Sequence, residues 1–261
     1  MKERSYVQCN EERARWLDAA RRTLELDRRS KVPLSVAGED SIRYQSMYPI
    51  ARHALAHVDA ALLLHDSERS FVASANARVA FEHALLAQWV VLTSGSETLL
   101  ANSIAKSHSR ILRGIEPHAQ TIPAELSSLL DLPDAERVPP MDQICGRFDR
   151  TGLLYVIYRG LTGAVHLSGA SVAEYVSVDD ETGKIVLHAH PRSLTPPTDF
   201  EMTLGWAAVL AKAALEMLLN DDSHLVEVAA IARDAGLPHD LTSDDRYPER
   251  QPQNHNQSGN I

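Results

Sequence analysis

Several residue types on which whole protein classes depend are scarce in this sequence. Among 261 residues only Cys9 and Cys145 are cysteines, and they lie far apart without a metal-ligand spacing. The sequence therefore predicts neither a disulfide framework nor a cysteine-based zinc site, and it fits a reducing cytoplasm. The first residues lack the apolar core of a signal peptide, and no apolar run is long enough to span a bilayer. We expect a soluble, cytoplasmic protein with no membrane partner.

Positive charge is also in short supply. The chain carries 26 Lys and Arg against 35 Asp and Glu, which gives a formal net charge of -9. Such a surface does not coat nucleic acid non-specifically, so any contact with RNA or DNA must be confined to a local basic cleft. The sequence also lacks a glycine-rich phosphate loop before a helix and a Gly-x-Ser-x-Gly elbow. These absences argue against doubly wound nucleotide-binding folds and α/β-hydrolases.

Helical periodicity is the main positive signal. Hydrophobic residues make up 44% of the chain, enough for the core of one main domain. The pattern predicts a mainly α fold, a helical bundle with one β-hairpin insertion. We divide the chain into an N-terminal charged helix and connector (1–44), the bundle (45–220) with its hairpin at about 172–190, and a C-terminal helix with a disordered tail (221–261).

The positions of the helices follow from apolar spacing and from breaking residues. The predicted helices cover residues 10–29, 49–66, 68–92, 96–116, 142–166, 199–219 and 223–235. Pro49 is expected in the first turn of its helix. The segment 68–92 is apolar on nearly every side, which predicts a central helix. The C-terminal tail has little apolar surface to bury, so we expect the chain beyond about Pro238 to be dispensable for folding.

The predicted helix 142–166 separates into two stripes when it is drawn at about 100° per residue. The apolar stripe consists of Leu154, Ile157, Leu161 and Val165. The second stripe, roughly a quarter-turn away, consists of Tyr155, Arg159, Thr162 and His166. Arg159 and His166 are two turns apart, about 10 Å along the axis, so a cation and an imidazole point the same way with a hydroxyl between them. The first stripe is suited to packing, and the second to a functional site.

Arg78 and Glu82 lie one turn apart on the predicted central helix, within an apolar stripe. We therefore expect both side chains to face inward and to be largely buried. Because an unpaired buried charge is costly, an internal ion pair that ties helices together is favoured. The alternative is that this pair orients Arg159 and His166.

Twelve histidines raise the question of a metal site. His53 and His57 are one turn apart on a helix, and His188 and His190 share one face of a strand, so either pair could ligate a metal jointly. Neither pair belongs to a Glu-x-x-His or His-Glu-x-x-His pattern. Ordinary surface or hydrogen-bonded histidines are therefore favoured, and the sequence predicts no metal and no cofactor.

A family resemblance enters at Arg159-Gly-Leu-Thr-Gly-Ala-Val-His166. An Arg separated from a His by six residues, on a late helix of a helical bundle, resembles the signature of HEPN (higher eukaryotes and prokaryotes nucleotide-binding) proteins. The pairing with the earlier segment Arg78-Val-Ala-Phe-Glu82 is also similar to a bacterial family of uncharacterised helical proteins near them. The resemblance covers about residues 45–220.

The resemblance implies an activity and an assembly. Many HEPN proteins are metal-independent ribonucleases that work as homodimers, with the Arg and His of two chains in a shared cleft. It implies that Arg159 neutralises the scissile phosphate and that His166 assists proton transfer as the RNA 2′-hydroxyl attacks. The supporting residues would be Arg78, Glu82, Tyr155 and Thr162. A bacterial defence or toxin role, with RNA as substrate and an antitoxin or other protein as partner, would follow.

Two other hypotheses stay open. The residue after Arg159 is Gly160, where active HEPN members often carry a polar residue, and other HEPN-like domains serve as binding or assembly modules. The second hypothesis is therefore a non-catalytic interaction or regulatory module whose Arg78, Glu82, Arg159 and His166 form a structural polar network. The third is a metal-dependent hydrolase that uses histidines. A catalytic cleft must be open to solvent, whereas a structural network should be buried and internally hydrogen-bonded.

Overall fold

The protein is described by a computed structural model that covers residues 6–29, 36, 38–115, 118, 135–166, 172–191, 200–219 and 223–241. Within these residues the fold is mainly helical with one antiparallel hairpin, which confirms the predicted fold class. The helices are α1 (Tyr6–Arg29), α2 (Ser41–Asp66), α3 (Ser70–Leu92), α4 (Ser96–Ile115), α5 (Met141–Phe148), α6 (Leu153–Val165), α7 (Phe200–Met217) and α8 (Ser223–Ala235). The strands are β1 (Val176–Val178) and β2 (Ile185–Leu187).

Helices α3 and α7 form the centre of the bundle. Both bury residues on nearly all sides, as expected for a helix that is enclosed by others. Helices α1 and α2 pack against α7, α2 and α6 pack against α3, and α8 packs against α1 and α7. The prediction of a central helix at 68–92 agrees with α3, and α7 is buried more completely still. No helix in the described part of the chain is long and apolar enough to cross a membrane.

Helix α1 lies close against α7 because a glycine removes the side chain at the crossing. A Cβ atom added to Gly205 would be 2.5 Å from the backbone oxygen of Trp16. Ala19, Ala20 and Leu24 of α1 are buried in the same core as α7. The charged N-terminal helix is thus packed on the bundle along its apolar side.

Three predicted helix boundaries were wrong, and the first is the start of α1, which begins at Tyr6 instead of residue 10. Helix α2 begins at Ser41, directly after a short 3₁₀ turn, and Pro49 lies inside it instead of in its first turn. Burial of Tyr44 and Met47 stabilises these additional turns. The predicted helix 142–166 is two helices, α5 and α6. They are separated at Gly152, whose φ of 78° is a left-handed conformation that glycine adopts readily.

The hairpin is shorter than the predicted segment of about 172–190. Its three residue pairs are Val176 with Leu187, Ser177 with Val186, and Val178 with Ile185. The Asp179 carboxylate accepts hydrogen bonds from the backbone N–H and the hydroxyl of Thr182, which fixes the turn.

The C-terminal helix α8 ends as predicted at Ala235, where Gly236 takes a φ of 68°. After it, Leu237 and Leu241 are both buried, and the backbone N–H of Leu241 donates to Gln88 Oε1 at 3.4 Å. The proposed boundary of a dispensable tail at Pro238 was therefore too early, because it would remove Leu241 from the core. The predicted disordered tail from 242 to 261 lies outside the described residues.

Candidate functional site

The N-terminus of α6 is held by a side-chain cap. Asp149 accepts hydrogen bonds from the backbone N–H of Leu154 at 2.9 Å and from the N–H and hydroxyl of Thr151. Burial raises the pKa of Asp149, but these hydrogen bonds to the carboxylate outweigh it, and the net result is a lowered pKa. The cap keeps Asp149 ionised and fixes where α6 begins.

Helix α6 presents its apolar stripe to the bundle. Leu154, Ile157 and Leu161 are buried against α3 and the core, as the spacing predicted, whereas Val165 is partly exposed. The order of the polar side chains round the helix, from the buried stripe outward, is Tyr158, Thr162, Tyr155, His166 and Arg159.

Arg159 and His166 are both exposed. The side chain of Arg159 forms no hydrogen bond or ion pair with another described residue. His166 is the first residue after α6. Its backbone N–H still donates to the Thr162 carbonyl at 3.1 Å, and its ψ of 151° is extended instead of helical. The two residues therefore lie near the solvent-facing side of one helix and at its end.

Arg78 and Glu82 lie on α3, but they are not buried to the predicted degree. The Arg78 side chain is 17% exposed and that of Glu82 is 37% exposed, and their closest charged atoms are 3.7 Å apart. The expectation that both are largely buried is wrong for Glu82, which lies at the rim of the bundle. The structure thus brings these two together and places Glu82 in contact with solvent.

Tyr158 joins this pair to α6, and its role was missed at the sequence level. The Arg78 guanidinium donates to the Tyr158 hydroxyl at 2.7 Å and lies over the same ring, 5.0 Å from its centroid. Burial and the nearby Glu82 carboxylate raise the pKa of Tyr158, against the opposing effect of Arg78. The phenol therefore stays protonated at neutral pH. The position of Tyr158 beside the buried stripe could have identified it as a polar residue at the helix interface. Its contact with Arg78 could not be predicted from the spacing of residues on one helix.

The remaining predicted residues extend this arrangement. The rings of Tyr155 and Tyr158 are stacked, with centroids 6.1 Å apart and an interplanar angle of 30°. The hydroxyl of Thr162 donates to the Tyr158 carbonyl at 3.3 Å. Thr162 is consequently bonded to its own helix, and Tyr155 adds aromatic surface next to Arg159.

The two histidine pairs have different surroundings. His53 contacts His57 and also His83, with ring centroids 4.5 and 4.6 Å apart. His188 is hydrogen-bonded to Ser177 Oγ at 2.9 Å, and His190 is exposed beyond the end of β2. Within the described residues, no group of three or more His, Cys, Asp or Glu side chains is arranged to hold a metal ion.

A second polar cluster lies inside the bundle, away from the predicted residues. Lys212 of α7 is buried, forms an ion pair with Glu216, and lies 3.5 Å from Asp27 of α1. Arg52 of α2 contacts both carboxylate oxygens of Asp27 at 2.6 and 2.7 Å. These charges balance one another, so the cluster is suited to holding α1, α2 and α7 together.

No family model, curated protein or solved structure matches this chain. The resemblance to HEPN proteins therefore stays a prediction from residues 78–82 and 159–166.

Proposed function

We propose that this protein is a metal-independent endoribonuclease of a defence or toxin type, with Arg159 and His166 acting on the RNA backbone. The observation that carries the proposal is the division of polar residues between two environments. Arg78 is enclosed by Tyr158 and Glu82, whereas Arg159 and His166 are exposed on α6. A catalytic pair must be reachable by substrate, as Arg159 and His166 are. If all four charged residues formed one structural network, Arg159 and His166 would instead be buried.

The chemistry follows from the two side chains. A guanidinium can donate two hydrogen bonds to one phosphate and so neutralise the charge that grows on its oxygens during attack. A neutral imidazole can accept the proton of the RNA 2′-hydroxyl, because the ordinary pKa of histidine lies close to neutral pH. In this proposal Arg159 binds the scissile phosphate and His166 accepts the 2′-hydroxyl proton. The new bond from O2′ to phosphorus replaces the broken bond to the 5′-oxygen, which leaves a 2′,3′-cyclic phosphate on one product. The 5′-oxygen leaves as a hydroxyl that takes its proton from water or from the imidazolium, and no metal is needed.

A homodimer is part of the proposal. The separation of about 10 Å along α6 is long for two groups that act on one phosphate, although the Arg side chain shortens it. In a two-fold assembly, Arg159 of one copy could approach His166 of the other.

The proposal is tested by RNA cleavage in the presence of a chelator. We expect wild type to cut RNA and to leave the same strand intact when 2′-deoxynucleotides replace the ribonucleotides, because the 2′-hydroxyl is the nucleophile. Arg159→Ala and His166→Ala should each lower the rate by on the order of 10²-fold or more. The matched controls are Arg15→Ala and His190→Ala, which change exposed residues elsewhere.

Thermal melts show whether each variant is folded. Equal cleavage by wild type and both site variants would overturn the assignment of Arg159 and His166. If folded wild type cuts no RNA and gains no activity at raised concentration, the non-catalytic interaction module becomes the better proposal.

A further inference from the structure

A basic groove lies on the outer side of α4. It has a volume of about 280 Å³ and is lined by Ser103, Lys106, Ser107, Arg110, Arg137 and Val138. Three of these six residues are cations, two carry hydroxyl groups, and none is an acid. This composition is unusual for a chain with nine more acidic than basic residues.

One wall of the groove is a single face of α4. Ser103, Lys106, Ser107 and Arg110 are spaced at i, i+3, i+4 and i+7, so their side chains lie in one row along the helix. Arg110 is exposed and forms no hydrogen bond or ion pair with another described residue. The row therefore presents donors over roughly two helical turns, or about 10 Å.

The other wall is a chain segment that is fastened to α4. The backbone N–H of Val138 donates to Ser103 Oγ at 2.9 Å, and Asn102 Nδ2 donates to the Glu136 carbonyl at 2.9 Å. Arg137 lies between these two attachment points, so the fold holds it beside the α4 row. Residues that are more than 25 positions apart in sequence thus converge on one groove.

A second groove shows that cationic lining alone does not make such a site. It lies between α1 and α2 and contains Arg21 and Arg28. Arg21 contacts Asp66 at 2.6 Å, and Arg28 contacts Asp59 at 3.0 Å, and both acids line the same groove. The cations of this second groove are paired with acids of the same lining, whereas none of the six described residues that line the α4 groove is an acid.

We propose that the α4 groove binds the phosphate groups of a single RNA strand and so holds the substrate for the site on α6. Guanidinium, ammonium and hydroxyl groups are the side chains that bind phosphate oxygens in proteins. Successive phosphates of an extended strand are spaced closely enough for two of them to contact a row about 10 Å long. The ligand is identified as RNA only through the proposed function; the groove's own chemistry specifies phosphate.

Binding is measured with a fluorescent single-stranded RNA by anisotropy, in the His166→Ala background so that the strand is not cut. Arg110→Gln and Arg137→Gln should each weaken binding roughly tenfold at low salt, as expected when one charge-assisted hydrogen bond is removed. The slope of log affinity against log salt should fall by about 0.7 for each phosphate that a variant no longer neutralises. Arg15→Gln, the same change of charge at an exposed site on α1, should alter neither quantity.

The outcomes separate the groove from the catalytic proposal. RNA binding that is weakened equally by all three Gln variants, or by none, overturns the groove assignment. RNA cleavage by a protein whose binding ignores Arg110 and Arg137 leaves the proposed function standing without the groove. Groove-dependent binding by a protein that never cleaves RNA supports the groove and removes the catalytic proposal. Competition by inorganic phosphate alone, with no detectable affinity for RNA, would assign the groove to a small phosphate ligand and overturn the inference.

Discussion

Tyr158→Phe deletes the hydroxyl that receives the one hydrogen bond made by the Arg78 side chain within the described residues. Arg78 would keep its position over the aromatic ring and its ion pair with Glu82 at 3.7 Å. Its guanidinium would lose its short hydrogen bond while remaining mostly buried, and its Nε has no hydrogen-bond partner among the described residues. The Tyr158 hydroxyl is also hydrogen-bonded to Glu82, so the substitution removes its hydrogen bonds to both charged residues of α3.

The larger part of the expected cost is the loss of the charge-assisted hydrogen bond from Arg78, because Glu82 is more exposed. A hydrogen bond to a charged group contributes about 1.5–3 kcal/mol, and partial solvent access to Arg78 places this one near the lower end. For a protein of this size a loss of about 2 kcal/mol lowers Tm by roughly 4–8 °C. Arg78 and Tyr158 should also be coupled in a double-mutant cycle of Arg78→Ala and Tyr158→Phe by more than about 0.5 kcal/mol.

Tyr155→Phe is the matched control, because it removes the same atom from the other ring of the stack. The Tyr155 hydroxyl forms no hydrogen bond with a described residue. Its loss should change Tm by no more than the effect of an ordinary surface substitution, within about 0.5 kcal/mol. Both variants are compared with wild type by denaturant unfolding and thermal melts. Equal effects of the two substitutions, or additivity in the double-mutant cycle, would refute the stabilising contact between Arg78 of α3 and Tyr158 of α6.

Three further predictions concern the bundle. Gly205→Ala should destabilise the protein by about 1–3 kcal/mol because the new Cβ atom would meet the Trp16 backbone. Gly114→Ala has nothing within 4 Å of its Cβ position and should be neutral or stabilising by up to about 1 kcal/mol. Urea unfolding of both variants tests this, and a stabilised Gly205→Ala would contradict the close crossing of α1 and α7. Lys212→Ala should cost about 3–5 kcal/mol because it leaves the buried Glu216 carboxylate without the Lys212 ammonium, although Asp27 keeps its contact with Arg52. Arg22→Ala, which breaks exposed pairs, should cost at most about 1 kcal/mol. Similar unfolding midpoints of the two variants would argue against the internal cluster. Burial, followed by the charges of Asp142 and Asp149, raises the pKa of the Cys145 thiol to about 12. Iodoacetamide at about pH 8 should therefore modify only the exposed Cys9 in the native protein and both thiols in urea. If mass spectrometry finds both thiols labelled equally fast in the native protein, the burial of Cys145 is contradicted.

The sequence predicted those elements whose boundaries are set locally. The limits of α8 follow from apolar spacing and from Gly236, and α3 follows from a segment that is apolar all round. The start of α2 was missed because proline favours the first turn of a helix, yet burial of Tyr44 and Met47 extends the helix before Pro49. The helix predicted over 142–166 runs through Gly152, but the left-handed conformation of this glycine separates two helices.

The site residues were predictable to the extent that they depend on helical phase. Spacing on one helix placed Arg159 and His166 on a common side, which agrees with their exposure. The contact between Arg78 and Tyr158 joins residues 80 positions apart and depends on how α6 lies against α3. The same limit applies to the α4 groove, since Arg137 reaches it only through hydrogen bonds between distant segments.

Helix α6 is short, and the position of its exposed residues depends on contacts made by its buried ones. Leu154, Ile157 and Leu161 restrain its rotation only through non-directional packing. The Asp149 cap fixes its beginning, and the Tyr158 hydrogen bond to Arg78 fixes its rotation in a directional way. A shift of one residue would turn the helix by about 100° and would carry Arg159 and His166 together away from the solvent-facing side that they occupy. If these two residues act on RNA, Tyr158 is therefore a positioning residue, and its loss should lower activity in protein that remains folded.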